Sequence, residues 1–250
     1  MRDVKGVILC GGPGKRLRPI TYYFQKAMIP VGRSQKPLLE FVVRLLKHHG
    51  ISDVAFLVDY KAEQVVNYFN DGSRFKVRVS YVHDEAGLKG TAGSLVNAYR
   101  KNVLSTNETL LVYYGDILTN MNLREFLRFH RKREALATVA LATGFTVRVG
   151  VADLDEEGRI SRFEEKPKLE KPVSIAIVAL EGKVLREIEL LMNNKQQLDL
   201  MGDVIPYLMK NGHKVYGYVT DAFWYDVGST EAYEKLDHEM VDDLLSFCTQ

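Results

Sequence analysis

Short apolar runs rich in Val, Ile and Leu alternate with amphipathic stretches along most of this chain, and that alternation constrains its fold more than any other feature. Val4–Cys10, residues 53–59 and Thr109–Tyr114 read as buried strands, and residues 38–49, 61–70, 91–101 and 122–133 as the helices between them. Strands separated by helices build a wound sheet with parallel neighbours. Residues 76–82 read as a half-buried strand, with Val77, Val79 and Tyr81 on one face and Lys76, Arg78 and Ser80 on the other. After a further strand at 137–143 the texture changes. Strands at 147–154, 160–165 and 174–180 are joined by polar turns, helices follow at 183–193 and 201–210, a strand at 214–219, and a helix at 229–239.

The 250 residues suit one large α/β unit, since a single core serves chains of roughly this length. Its 34 basic and 32 acidic residues give a net charge of +2 and are mixed along the chain, which argues against a nucleic-acid-binding tract. No apolar run approaches the ~20 residues of a membrane span, and the apolar stretch at 6–10 is too short for a signal peptide. The two cysteines, Cys10 and Cys248, suit reduced thiols in a cytoplasmic protein better than a disulfide framework or a metal cluster. The six histidines lack ligand-like partners.

The most informative stretch runs from Val7 to Pro19. A buried strand enters Gly11-Gly12-Pro13-Gly14 and then the cations Lys15, Arg16 and Arg18. Glycines let backbone N–H groups approach a phosphate, and the cations stabilise it. Two familiar phosphate loops do not fit. Gly14-Lys15 is followed by Arg16, where a Walker loop needs Ser or Thr, and Leu17 stands where a dinucleotide loop needs its third glycine. Downstream, Lys26 opens Lys26-Ala27-Met28-Ile29-Pro30-Val31.

Gly-Gly-x-Gly-x-Arg-Leu-x-Pro followed by Lys-x-x-x-Pro-Val resembles the signature of the sugar-1-phosphate nucleotidylyltransferases, including the mannose-1-phosphate guanylyltransferases and glucose-1-phosphate thymidylyltransferases. The likeness continues through Gly90-Thr91-Ala92-Gly93, Gly115-Asp116, Phe163-Glu164-Glu165-Lys166-Pro167 and Trp224-Tyr225-Asp226-Val227-Gly228, and so spans residues 6–236. It implies a Rossmann-like mixed, mostly parallel sheet flanked by helices. Residues 1–236 would form the catalytic domain, with 1–140 its nucleotide half and 141–236 its sugar half, and 237–250 would be a short helical tail. Nothing after Lys235 has the hexapeptide periodicity of the β-helix that some relatives carry.

The resemblance also implies chemistry: a nucleoside triphosphate and a sugar 1-phosphate would yield a nucleotide sugar and pyrophosphate. Gly11, Gly12, Gly14 and Arg16 would hold the triphosphate, and Lys26 would sit near the α-phosphate. Asp116 and Asp226 would together bind Mg²⁺, Glu165 and the backbone of Gly150 would meet the sugar, and Lys166 its phosphate. On composition alone the carboxylates could be turn caps and the Glu165-Lys166 block a solvated charge cluster.

The small residues around Gly90 and Thr91 would let a base lie against the backbone. Glu85, five residues before Gly90, or Asp84 in a loop that looks one residue longer than usual, would face that base. A carboxylate only accepts hydrogen bonds, and guanine offers two adjacent donors, so the lean is towards guanine. Ser174-Ile175-Ala176 departs from the family's Asn-x-Gly, which puts the sugar in question. The other readings are a uridylyl- or thymidylyltransferase of glucose 1-phosphate, an enzyme of phosphorylated alcohols, and a silent regulatory subunit of the same fold. The tail helix could dock on the core or on a second copy, which leaves a homo-oligomer open.

Overall fold

A computed structural model describes residues 4–147, 149–193, 195–244 and 246. Seven strands form the central sheet: β1 (Val4–Cys10), β2 (Asp53–Val58), β3 (Arg78–His83), β4 (Thr109–Tyr114), β5 (Ala137–Ala142), β6 (Val173–Glu181) and β7 (Val215–Thr220), in spatial order β7-β5-β6-β4-β1-β2-β3. β1 pairs in parallel with β2 and β4, β2 with β3, and β5 with β7. Only β6 runs against its neighbours β4 and β5, so the sheet is mixed and mostly parallel, as the resemblance implies.

Both faces of the central strands are covered, which is why β1, β2 and β4 read as continuous apolar runs, whereas the edge strand β3 alternates. On one face Ile8, Phe56, Leu111, Tyr113, Ile177 and Ala179 pack with α1 (Leu38–His48), α2 (Ala62–Phe69) and α4 (Leu123–Lys132). On the other, Val7, Ala55, Leu57, Leu110, Val112 and Val178 pack with α3 (Gly90–Arg100) and α5 (Val184–Met192). The period-two alternation of each strand thus divides one sheet into two cores.

Several boundaries move from their expected places. The strand foreseen at 76–82 begins at Arg78, because the chain turns first: Lys76 has φ 57° and the Val77 N–H returns to the Gly72 carbonyl at 3.2 Å. The strand foreseen at 147–154 begins at Val151, since Val147 instead donates to the Pro167 carbonyl at 2.8 Å and closes the neck of a two-stranded arm, Val151–Leu154 with Ile160–Glu164. The helix foreseen at 201–210 opens with a wide turn, Leu200–Val204, whose amides at Met201 and Gly202 bond the Asp199 side chain.

The helix foreseen at 229–239 is two: Thr230–Glu234, then His238–Leu244. The break comes where Asp237 caps a new start, its side chain accepting from the amides of Glu239 and Met240, both at 3.0 Å. The second helix docks on its own chain. Val241 is fully buried, and Asp242 accepts from the Arg33 amide at 2.6 Å and the Ser34 amide at 3.3 Å. Phe247 and Cys248 lie outside the described residues. No helix among the described residues is long and apolar enough to cross a membrane.

Candidate active site

Open α/β sheets bind ligands beyond the carboxyl ends of their parallel strands. Here the residues that directly follow β1, β2, β3 and β4 are Gly11, Asp59, Asp84 and Gly115, and all four line one cleft of about 520 Å³. Gly12, Gln25, Lys26, Glu85, Gly90, Thr91 and Asp116 line it as well.

The loop after β1 folds back on itself. Gly14 adopts the left-handed conformation (φ 58°), and its carbonyl accepts from the Leu17 amide and the Thr21 hydroxyl, each at 2.9 Å. Arg16 sits on the exposed turn that follows and is not among the residues lining the cleft. The loop is strapped by the far end of the chain, because the Thr230 hydroxyl lies 3.4 and 3.3 Å from the carbonyls of Arg16 and Arg18.

Lys26 is set by a neighbour that the sequence reading passed over. Gln25 is buried; its amide nitrogen donates to the Cys10 carbonyl at the end of β1, and its amide oxygen accepts from the Ala27 N–H at 2.5 Å. Its own N–H donates to Gln64 on α2 at 2.7 Å. The turn carrying Lys26 is thereby fastened to both β1 and α2. Lys26 ion-pairs with Asp116 across the cleft.

Asp116 and Asp226, 110 positions apart in sequence, are brought to adjoining strands. Trp224–Asp226 pairs antiparallel with Ile117–Thr119, in a register that sets Asp226 opposite Ile117, the residue after Asp116. The Val227 N–H donates to the Asp116 carbonyl at 3.0 Å. A Cβ on Gly228 would stand 2.6 Å from Asp226 Oδ1, so the Asp226 carboxylate lies over that glycine. Among the described residues no group of three or more His, Cys, Asp or Glu side chains could hold a metal ion. Two carboxylates suit Mg²⁺ only where waters and substrate phosphates complete its six oxygens.

The two acidic candidates expected to face the base separate. Glu85 reaches Lys101 at the end of α3, Oε1 to Nζ 2.7 Å. Asp84 turns into the cleft: its Oδ2 is 2.9 Å from where a Gly11 Cβ would stand, and its buried Oδ1 has no hydrogen-bond partner among the described residues. Burial raises the Asp84 carboxyl above the usual carboxylate range; the Ser94 hydroxyl opposes this and the Asp59 charge adds to it. Asp59 carries the same signal as Asp116, an Asp beyond a buried strand, and Asp84 follows the half-buried β3.

Gly90 (φ 84°) lies against Leu198, whose carbonyl oxygen is 2.4 Å from where a Cβ would be, so only glycine fits there. The Thr91 hydroxyl donates to Asp199 at 2.9 Å and accepts from the Leu200 N–H at 2.8 Å, which fixes the loop and engages the hydroxyl within the protein.

The residues expected to meet the sugar are not among those lining this cleft. Gly150 and Glu165 meet at the neck of the arm, where a Gly150 Cβ would be 2.9 Å from Glu165 Oε2. Lys166 (φ 50°) is 3.8 Å from Glu165, and both side chains are exposed. Ser174 is exposed near the start of β6, and its hydroxyl accepts from the Ala176 N–H at 3.3 Å across a bulge where Ala176 has φ 57°. Phe145 stacks on Trp224 at 6.2 Å between centroids, which joins this region to the strand of Asp226. The buried histidine His130 is satisfied by Thr138 and Glu181 and has no part in the site.

The family model for nucleotidyl transferases matches residues 5–242. The chain is 34% identical to a UTP–glucose-1-phosphate uridylyltransferase of Synechocystis, with 92% of this chain and 61% of that protein covered. It is 31% identical to a mannose-1-phosphate guanylyltransferase of Mycobacterium tuberculosis, with 96% and 65% covered. The chain therefore spans less than two thirds of the length of either curated relative. A Bacillus anthracis crystal structure assigned as a glucose-1-phosphate thymidylyltransferase, with sucrose bound, superposes with a TM-score of 0.76 at 25% identity, covering 95% of this chain and 94% of that one.

Proposed function

This chain belongs to the nucleotidyl transferase family, and from that membership we propose that it joins a nucleoside triphosphate to a sugar 1-phosphate with release of pyrophosphate. The observation that carries the reading is the pairing of Trp224–Asp226 with Ile117–Thr119, which gathers the segments of Asp116 and Asp226 beside Lys26 at the mouth of the cleft. Those three side chains and the glycine loop suit a polyphosphate, and Glu165, Gly150 and Lys166 suit a phosphorylated sugar beyond it.

In the proposed reaction a phosphate oxygen of the sugar 1-phosphate attacks the α-phosphorus in line, and the bond to the leaving pyrophosphate breaks. The nucleophile is already an anion, so no general base is needed. The work of the protein is to hold two polyanions together against their repulsion. Lys26 would meet the α-phosphate, Arg16 the triphosphate tail with its forked donors, and Lys166 the sugar phosphate. Asp116 and Asp226 would hold Mg²⁺, which when bound neutralises phosphate charge.

Asp84 supports guanine as the base. Asp84 lines the cleft, where an ionised carboxylate accepts from adjacent N–H donors, and Glu85 is engaged by Lys101 instead. A second reading rests on the same residue: a protonated Asp84, the form that burial favours, would offer a donor beside an acceptor, which matches uracil or thymine. For the sugar, mannose 1-phosphate goes with the guanine reading and glucose 1-phosphate with the pyrimidine one.

The test is a matrix of nucleoside triphosphates against sugar 1-phosphates, with Mg²⁺ present and pyrophosphate release as the readout. GTP with mannose 1-phosphate is expected to be the best pair, and Asp116→Asn is expected to keep the fold and lose about 10²–10³ in turnover, by analogy with oxyanion donors. Silence across the whole matrix, or near-native turnover in Asp116→Asn, defeats the proposal.

A further inference from the structure

In a nucleotide the ribose lies between phosphate and base, and the cleft has a strand end in the corresponding place. β1, β2 and β3 are consecutive in the sheet. Neighbouring strands stand about 4.8 Å apart, so the residues that directly follow these three form a row: Gly11, Asp59 and Asp84. All three line the cleft. The proposed function sets the polyphosphate on the glycine loop after β1 and the base at Asp84 after β3. The end of β2 is the position left for the sugar ring of the nucleotide.

The fold holds Asp59 there without using its carboxylate. The Tyr60 N–H donates to the Gly11 carbonyl at 3.1 Å, and the Tyr60 hydroxyl donates to the Thr21 carbonyl at 2.8 Å, so the turn after β2 is tied to the loop after β1. A Cβ on Gly11 would stand 3.3 Å from Asp59 Cβ, which places Asp59 directly beside that loop. Its backbone carbonyl accepts from the Ala62 N–H at 3.1 Å, but the start of α2 takes no side-chain hydrogen bond from its cap, Lys61. The Asp59 side chain is exposed and has no hydrogen-bond or ion-pair partner among the described residues.

A carboxylate beside a polyphosphate site repels the ligand it borders. Its position is useful to binding only if it also accepts hydrogen bonds from that ligand, and an ionised carboxylate accepts at both oxygens. The vicinal 2′ and 3′ hydroxyls of ribose supply two adjacent donors. We infer that Asp59 is a specificity-determining residue whose carboxylate accepts from the ribose hydroxyls of the nucleotide. This deepens the proposed function and rests on its reading of the cleft as a nucleotide site, but not on the sugar phosphate or on the reaction.

The test is calorimetric titration of the full chain, without sugar phosphate, using ATP, GTP, CTP and UTP, each against its 2′,3′-dideoxy form. For whichever base binds, the ribonucleotide is expected to bind at least roughly tenfold tighter than the dideoxy form, as befits hydrogen bonds to a charged group. In Asp59→Ala, an exposed change that leaves the core intact, the two forms are expected to bind within about twofold of each other. Loss of the negative charge tightens both triphosphates alike, so the ratio isolates the hydrogen bonds. The inference is overturned if the parent binds the two forms equally, if the preference survives in Asp59→Ala, or if no ribonucleotide binds. A chain that shows the preference and its loss in Asp59→Ala, yet releases no pyrophosphate in the substrate matrix, refutes the proposed reaction and leaves the role of Asp59 standing.

Discussion

Replacing Gln25 with Met, which keeps the side chain's length and removes its amide, should cost both stability and turnover. The amide joins two buried backbone groups, the Cys10 carbonyl and the Ala27 N–H. Cys10 and Ala27 are 4% and 2% exposed, so water does not replace what is lost. Each orphaned buried group costs about 1–3 kcal/mol, which gives about 2–6 kcal/mol for the pair, a large part of the roughly 5–15 kcal/mol that stabilises a domain. Trp224, the single tryptophan, supplies a fluorescence signal for urea unfolding. Gln25→Glu sets a carboxylate oxygen against the Cys10 carbonyl in a site closed to water, so it should cost at least as much as Gln25→Met. Turnover, read as pyrophosphate release, should fall in the same order because the turn that Gln25 fastens carries Lys26. A Gln25→Met protein within about 0.5 kcal/mol of the parent, with unchanged turnover, would refute the reasoning.

Asp84→Asn should lower kcat/KM for GTP by about 10- to 100-fold relative to other triphosphates, the worth of a hydrogen bond to a charged group. In the parent, GTP use should weaken as the pH falls through the raised Asp84 value, where the carboxylate is lost; a flat profile counts against Asp84 as the reader of the base. Ala176→Gly should raise stability by up to about 1 kcal/mol, since Ala176 occupies the left-handed region at φ 57° where a Cβ is penalised; a lower unfolding midpoint would show that the methyl is needed for packing. His49 is lowered in the fold to about 4 from an ordinary 6.5, so the unfolded chain takes up the proton first as the pH falls. That contribution is complete above about 6.5 and is lost towards pH 4, by about 3 kcal/mol in all. Unfolding curves of the parent should steepen with acid in that window, and those of His49→Phe should flatten.

The sheet was readable because its strands are buried on both faces and its helices carry one apolar side; both patterns are local, and local patterns survive in a single sequence. What failed to read was set by contacts between distant segments. The break at Asp237 depends on a cap that competes with a helix already under way, and the late start of β3 depends on Val77 returning to Gly72. At the site, Gly11, Lys26 and Asp116 were visible from the elements that precede them. The nearness of Asp226 to Asp116 came from the resemblance, and the strand register accounts for it. Gln25 acts through a partner at the end of β1, and nothing in its immediate sequence marks it; Asp199 is marked as a helix opening, but its bond to Thr91 on α3 is not legible locally. Glu85 and Asp84 could be separated only once Lys101 was in place as a partner for Glu85.

The strap at the far end of the chain has a consequence for how the protein is made. Thr230 reaches the backbone of the loop at Arg16 and Arg18, Tyr233 donates to the Pro30 carbonyl at 2.8 Å, and Asp242 grips the turn at Arg33 and Ser34. Ribosomes release the amino end first, so a nascent chain exposes the loop after β1 well before the residues that clasp it have been synthesised. That loop therefore takes its final form only once residues 230–242 have been made and have folded back on it.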